Sequence, residues 1–202
     1  MIAIIDYGMG NVGSIKNMIA KIGFDAIITN DPELISKATK LILPGVGSFD
    51  SGMTNLKELG LIDILNKKVV QEKTPLLGIC LGMHLLTNSS EEGRLKGLGF
   101  INAKTVKFKL SNKFKIPHMG WNYVKFSIKN KLSDNLIENS RFYFVHSYYV
   151  ICEDKKNILM TTEYENEFTS AVSKDNIYGV QFHPEKSHKF GMKLMENFIK
   201  QA

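Results

Sequence analysis

The stretch TPLLGICLGMHLL occupies residues 74–86, and its reading decides the fold. An apolar run enters Gly78, a helical pattern leaves Gly82, and Cys80 stands at the centre of the Gly-x-Cys-x-Gly turn. This is the cysteine counterpart of the strained strand-to-helix turn that lifts a nucleophile above a parallel α/β sheet. Glycine at 78 and 82 removes side chains where strand and helix come closest. The helix start behind Cys80 favours a thiolate, and the N–H of Leu81 aims at the place where an oxyanion forms. The competing reading is a buried structural cysteine, the common fate of this residue. Glycine on both sides of the turn favours the nucleophile.

Working outward, the chain before this turn alternates strand and helix signals: strand 2–6, helix 12–22, strand 25–29, helix 32–38, strand 40–43 and helical stretches across 53–72. Such alternation predicts a mostly parallel sheet with helices on its faces, a flavodoxin-like α/β architecture. From about Phe100 to Ser173, short strand runs such as KTVKFKL, NYVKF and RFYFVHSYYVIC are separated by turn-rich pieces, the pattern of an added antiparallel segment. The end returns to the first pattern with IYGVQF, the loop HPEKSH and a closing helix from about Lys189 to Ile199. The expected organisation is one domain over residues 1–202 with the antiparallel segment as a flank.

Composition narrows the function classes. The chain has 202 residues, 44% of them hydrophobic, which is ample for a buried core. Asp6 inside the first apolar run, with no basic segment before it, argues against a signal peptide, and no apolar stretch reaches the length of a membrane span. Two cysteines, Cys80 and Cys152, are too few for a disulfide framework and suggest a reducing cytoplasm. The net charge of +6 raises nucleic-acid binding, above all at residues 103–121, AKTVKFKLSNKFKIPHMGW. Those lysines alternate with apolar residues as on a strand with one solvated face, and the arginines preferred for base and phosphate contacts are only two, Arg94 and Arg141. Neither nucleic acid nor membrane is expected as a partner.

A thiolate that attacks a carbonyl needs a base held by a third group. Residues 178–187, YGVQFHPEKS, place His183 where the chain leaves a strand and Glu185 two residues later, so its carboxylate can fold back onto the imidazole. Pro184 stiffens the link. A second oxyanion donor is expected from the loop Gly45, Val46, Gly47 in LILPGVGSF, residues 41–49. His84, one turn beyond Cys80, reads as a base or as a substrate-lining residue. His118 and His188 have no telling spacing, and His146 reads as a hydrogen-bonded structural histidine. No His and carboxylate set has metal-ligand spacing, so no metal and no cofactor is expected.

Gly8 to Gly13 also spell Gly-x-Gly-x-x-Gly after an apolar run. Asp6 would set a carboxylate where a pyrophosphate should meet only N–H groups, and Asp31, before Pro32, reads as a helix N-cap rather than a ribose ligand. A nucleotide site is therefore not expected.

The blocks IIDYGMGNVGSI, LPGVGSF, GICLGM, SSEEG, PHMGWN, YFVHSYYV and GVQFHPEKS follow one another across essentially the whole chain. Together they resemble the glutaminase subunits of imidazole glycerol phosphate synthase, which are triad-type (class I) glutamine amidotransferases. The resemblance implies that Cys80 attacks the side-chain amide of L-glutamine, His183 moves the proton to departing ammonia, and Glu185 orients His183. It implies that Gly47, His84 and Glu92, with main-chain groups near His146, Ser147 and Tyr148, receive the substrate. It also implies a heterodimer with a (β/α)8-barrel cyclase, which uses the ammonia to make imidazole glycerol phosphate and an aminoimidazole carboxamide ribotide. That partner would contact the loop around Tyr7, Met9 and Asn11, together with Met119, Trp121 and Lys186, and the opening glycines would serve close approach at that interface. One position departs from the family: His84 stands where glutamine is usual. GSIKNM and GVGSFDSGM also look like relatives that feed ammonia to sugar-modifying amidotransferases of surface-glycan synthesis. A free-standing cysteine hydrolase and a non-enzymatic partner-binding α/β domain are the other readings.

Overall fold

The computed structural model describes residues 1–137 and 139–202. Four parallel strands, β1 (Ile2–Ile5), β2 (Ala26–Thr29), β3 (Lys40–Leu43) and β4 (Leu76–Ile79), alternate with helices α1 (Val12–Lys21), α2 (Pro32–Ser36), α3 (Phe49–Glu58) and α4 (Leu61–Asn66). A five-residue helix, α5 (Leu81–Leu85), follows β4 at once. Then come β5 (Ser89–Ser90), β6 (Ala103–Lys107), β7 (His118–Tyr123), β8 (Lys125–Phe126), β9 (Arg141–His146), β10 (Tyr148–Cys152), β11 (Ile158–Tyr164), β12 (Asn166–Lys174) and β13 (Ile177–Val180), before the closing helix α6 (His188–Gln201).

The main sheet runs β2-β1-β3-β4-β13-β12-β10-β6-β5. Its first five strands are parallel; β12, antiparallel to β13, begins the antiparallel part. The antiparallel segment is thus mostly a continuation of the same sheet, with β7 and β9 pairing apart as a two-stranded sheet. Hydrogen bonding along β13 explains this: β12 joins its free edge, which would otherwise present an unpaired row of amides.

Successive strand residues enter opposite cores, as the period of two requires. Ile4, Ile42 and Leu77 pack with Ile15, Ile19, Leu194 and Phe198 of α1 and α6, while Ile5, Leu43 and Leu76 pack with Phe49, Leu56, Leu65 and Leu85 of α3, α4 and α5. Caps set the helix starts. Asp31 accepts a hydrogen bond from the Glu33 amide at 2.8 Å ahead of Pro32, and Asn11 accepts from Ser14 at 3.1 Å. Ser48 caps α3, so that helix begins at Phe49, earlier than position 53 expected from the sequence.

Among the opening glycines, Gly10 finds its reason inside the chain. A Cβ on Gly10 would meet the Gly45 amide at 3.1 Å, so the loop after β1 lies directly on the Pro44–Gly47 loop. The Asp6 carboxylate accepts from the Gly8 amide at 3.2 Å, closing the turn on itself. Gly10 thus permits close approach to a neighbouring loop of the same molecule, whereas a Cβ on Gly13 would meet open space.

Candidate active site

In the parallel pair β4 and β13, Ile79 lies opposite Val180, and both strands end at the same sheet edge. Cys80 leaves β4 there and His183 follows β13. The Cys80 amide donates to the Val180 carbonyl at 2.8 Å, which ties the Cys80 turn to the strand that leads to His183. Cys80 has φ 54° and ψ −110°, in the positive-φ region that a non-glycine residue occupies only under constraint. The constraint is visible at Gly82, where a Cβ would run into the Leu43 carbonyl oxygen. Strand β3 therefore packs against the turn so closely that only glycine fits.

His183 Nδ1 lies 2.7 Å from Glu185 Oε1, with both side chains almost wholly enclosed. The carboxylate accepts from Nδ1–H, which leaves Nε2 as the exchangeable site. Nε2 is buried without a hydrogen bond of good geometry. Burial pulls the imidazolium down, but hydrogen bonding and charge from Cys80 and Glu185 outweigh it and push His183 up to about 10. A ring so placed readily holds the proton that the thiol gives up.

A cavity of about 350 Å³ opens beside these groups. Its wall holds Val46, Gly47, Cys80, Leu81, His84, Glu92, His146, Ser147, Tyr148 and His183, all of them expected from the sequence, and also Pro117 and Val145, which were not. Glu185 stands behind His183. Burial first of all raises the Glu92 carboxyl, while a 3.0 Å hydrogen bond from the Phe49 amide opposes it and anchors Glu92 beside the Gly47 loop. A larger groove of about 610 Å³ near Tyr123, Phe126 and Glu163 holds none of these groups.

The oxyanion amides differ from the simple expectation. Leu81 N–H donates to the Gly45 carbonyl at 3.3 Å, so this amide already has an acceptor. The loop supplying that carbonyl is held from behind. Tyr7 Oη donates to Pro44 O at 2.6 Å, and a Cβ on Gly45 would collide with that same hydroxyl. Tyr7 is fully buried, which corrects its expected place at a partner interface: its side chain faces inward and braces the loop. Asn11 and Lys186 are exposed, Met9 is half-buried, and Met119 and Trp121 are 62% and 42% exposed. Trp121 stacks on His188 with rings 5.4 Å apart, Arg141 lies over its face, and Lys186 lies over Tyr143. These side chains form one surface beside the His183 loop.

His84 is buried, and its Nε2 lies 2.8 Å from Gln181 Oε1. An amide oxygen only accepts, so Nε2 carries the hydrogen and His84 turns a donor toward Gln181. Gln181, which lies inside the YGVQFHPEKS stretch but to which sequence reasoning gives no role, turns its amide nitrogen toward Cys80 Sγ at 4.0 Å. Its signal is a fully buried glutamine at the end of an apolar strand.

Burial, opposed by the Gln181 bond, lowers His84 to about 4. The ring is thus neutral from pH 6 to 9 and gives glutamine binding no pH dependence there. The unfolded chain takes up this proton near pH 6.5, so stability is lost as pH falls from 6.5 toward 4, at up to about 1.4 kcal/mol per pH unit. His84→Gln is expected to flatten that acid-side decline by the same amount in urea unfolding at pH 7 and pH 5.5. Equal declines in both proteins would show that the ring is not held neutral.

Among the described residues, no helix is long and apolar enough to cross a membrane. The chain is 48% identical over 199 residues to imidazole glycerol phosphate synthase subunit HisH 2 of Pseudomonas aeruginosa, covering 98% of each chain. It is 50% identical over 204 residues to subunit HisH of that synthase from Sulfurimonas denitrificans, covering 99% of this chain and 98% of the other. Its fold matches the structure of PurLQS from Thermotoga maritima, with a TM-score of 0.73, 15% identity, and coverage of 98% of this chain and 96% of that one. The model of the class-I glutamine amidotransferases matches residues 3–202, and with the Cys80 turn and the His183–Glu185 pair on one sheet edge, the chain is an enzyme that belongs to that family.

Proposed function

We propose that this enzyme is the glutaminase subunit of imidazole glycerol phosphate synthase in histidine biosynthesis. The observation that carries the reading is the single cavity joining Cys80, His183 and Glu92, with Glu185 2.7 Å behind His183. Near-half identity to the synthase subunits over almost all of both chains supports the choice of pathway.

Cys80 Sγ attacks the carboxamide carbon of L-glutamine as its proton passes to His183 Nε2. Glu185 holds Nδ1–H and so keeps Nε2 turned to the reacting atoms. The carbonyl oxygen becomes an oxyanion received by main-chain N–H groups of Leu81 and of Val46 or Gly47. As the C–N bond breaks, His183 returns the proton to the departing nitrogen, leaving ammonia and a thioester on Cys80. Water then attacks the thioester with His183 as base, the C–S bond breaks, and glutamate leaves. Gly47, His84, Glu92 and the main chain at His146, Ser147 and Tyr148 hold the substrate. Ammonia passes to a (β/α)8-barrel cyclase seated on the surface of Met9, Asn11, Met119, Trp121 and Lys186, with Tyr7 bracing the loop beneath.

The test follows the nitrogen. Glutamine labelled with ¹⁵N in its amide is supplied to the chain together with the cyclase and the cyclase's ribotide substrate. The label is expected in imidazole glycerol phosphate. Label appearing only in free ammonia, with glutamate formed, would overturn the pathway and favour a sugar-modifying acceptor or a free-standing hydrolase.

A further inference from the structure

Two imidazole side chains that the proposed chemistry leaves unused meet beside the cavity. His118 begins β7 and His146 ends β9, and the two are register partners across the small sheet. They are 3% and 5% exposed. His118 Nδ1 lies 2.9 Å from His146 Nε2, and His146 Nδ1 lies 2.8 Å from the Tyr148 carbonyl oxygen. On the far side, His118 Nε2 lies 3.3 Å from the Asn122 amide nitrogen, which also donates to the Glu163 carbonyl at 2.9 Å.

These contacts allow one arrangement of protons. The Tyr148 carbonyl only accepts, so His146 Nδ1 carries the hydrogen and its Nε2 presents a lone pair. His118 must then donate from Nδ1, which leaves its Nε2 to accept from Asn122. Every bond runs from Asn122 toward Tyr148. A second proton on His146 would set N–H against N–H, and one on His118 would face the Asn122 amide hydrogens. Burial lowers both rings, His118 to about 4, in keeping with two neutral imidazoles.

Packing alone does not call for imidazole here. His118 lies among Phe144, Tyr164 and Phe168, with ring centroids 5.0, 4.1 and 5.7 Å away, a cage that a hydrocarbon side chain fills without the cost of burying two ring nitrogens. What imidazole adds is the directed hydrogen-bond chain, and its end is functional ground: His146, Ser147 and Tyr148 form the cavity wall facing Cys80.

We propose that His118 is a positioning residue for glutamine: by donating to His146 it fixes the Tyr148 carbonyl, and so holds the Ser147–Tyr148 main chain in the conformation that receives the substrate. This rests on the glutaminase reading above. It also ties that wall to β7, whose other face carries the exposed Met119, Trp121 and Tyr123.

The test measures steady-state glutamine hydrolysis in the complex with the synthase partner for His118→Leu, His118→Asn and Asn122→Asp. Leucine fills the cage without a donor, and KM for glutamine is expected to rise about tenfold, the effect of one lost hydrogen bond, with kcat falling less than about threefold. Asparagine places an amide N–H where Nδ1–H stood and is expected to keep KM within about threefold of the parent, although it packs worse. Asn122→Asp, isosteric at a half-buried position, presents an acceptor to Nε2, draws the ring hydrogen there and takes it from Nδ1, so KM is expected to rise as with leucine. A structural role alone predicts the opposite order, with asparagine the most impaired. The proposal is overturned if His118→Leu and Asn122→Asp both keep KM within twofold, or if asparagine is as impaired as leucine. A parent complex that forms no glutamate overturns the glutaminase reading instead.

Discussion

Cys80→Ala is expected to abolish glutamine hydrolysis, with a loss of at least about 10⁴-fold in kcat, while the chain still folds. The size follows from chemistry: alanine cannot form the thioester, and what remains is binding and polarisation of the amide. Folding survives because the change deletes one atom from a buried side chain and leaves the turn's backbone to the same constraints. The Cys80 amide still reaches Val180, and Gly82 still lets β3 approach. The second cysteine is no substitute. Cys152 is buried at the end of β10, and burial, with the charge of Asp154, pushes its thiol up to about 11, so it stays protonated. A glutamine-analogue electrophile is therefore expected to label Cys80 stoichiometrically, read by peptide mass spectrometry. Label on Cys152, or glutamate release surviving in the alanine variant, would remove Cys80 from its role.

Much of this is readable in the sequence because it depends on local rules. Gly-x-Cys-x-Gly after an apolar run has few backbone solutions, and His-Pro-Glu after a strand has few ways to place its carboxylate. The N-cap at Asp31 is likewise local. What escapes is decided by contacts distant in sequence. Tyr7 looks like an exposed loop residue until the Pro44 carbonyl, 37 positions away, is found on its hydroxyl. Gln181 and His84 are 97 positions apart, and no spacing announces their hydrogen bond. His118 and His146 meet only because β7 and β9 pair outside the main sheet, a register that alternating hydrophobicity does not specify. The glycines of residues 8–13 carry a pattern that misleads for the same reason: the neighbour of Gly10 is the Gly45 backbone, which only the fold supplies.

The isolated chain is expected to hydrolyse glutamine at least about a hundredfold more slowly than the complex in which the synthase partner holds its acceptor. The ground is the state of the Leu81 amide, which donates to the Gly45 carbonyl and is not free for an oxyanion. An oxyanion donor is worth roughly 3–4 kcal/mol, or a hundredfold or more in rate, so one occupied amide accounts for the difference. Releasing it requires the Gly45–Val46 peptide to turn, and the contacts around that peptide say what must move. Tyr7 Oη fixes the Pro44 carbonyl before it, and Gly47 after it stands at φ +114°, a conformation open to glycine, where a Cβ would meet Met9 Cε at 2.6 Å. The peptide is thus clamped between a buried hydroxyl and the Met9–Gly10 segment, and only the second clamp reaches the surface. A partner that shifts Met9 and Asn11 relieves it without disturbing the triad. Glutamate release by the isolated chain, the complex, and the complex with an acceptor analogue should therefore rise in that order. Equal rates in all three would refute the coupling, and a Trp121→Ala chain that binds and responds like the parent would remove that surface from the interface. Tyr7→Phe separates the two clamps: it frees the Pro44 carbonyl from within, so its uncomplexed glutaminase rate should rise toward that of the complex if the loop's restraint, and not the triad, holds the isolated chain back.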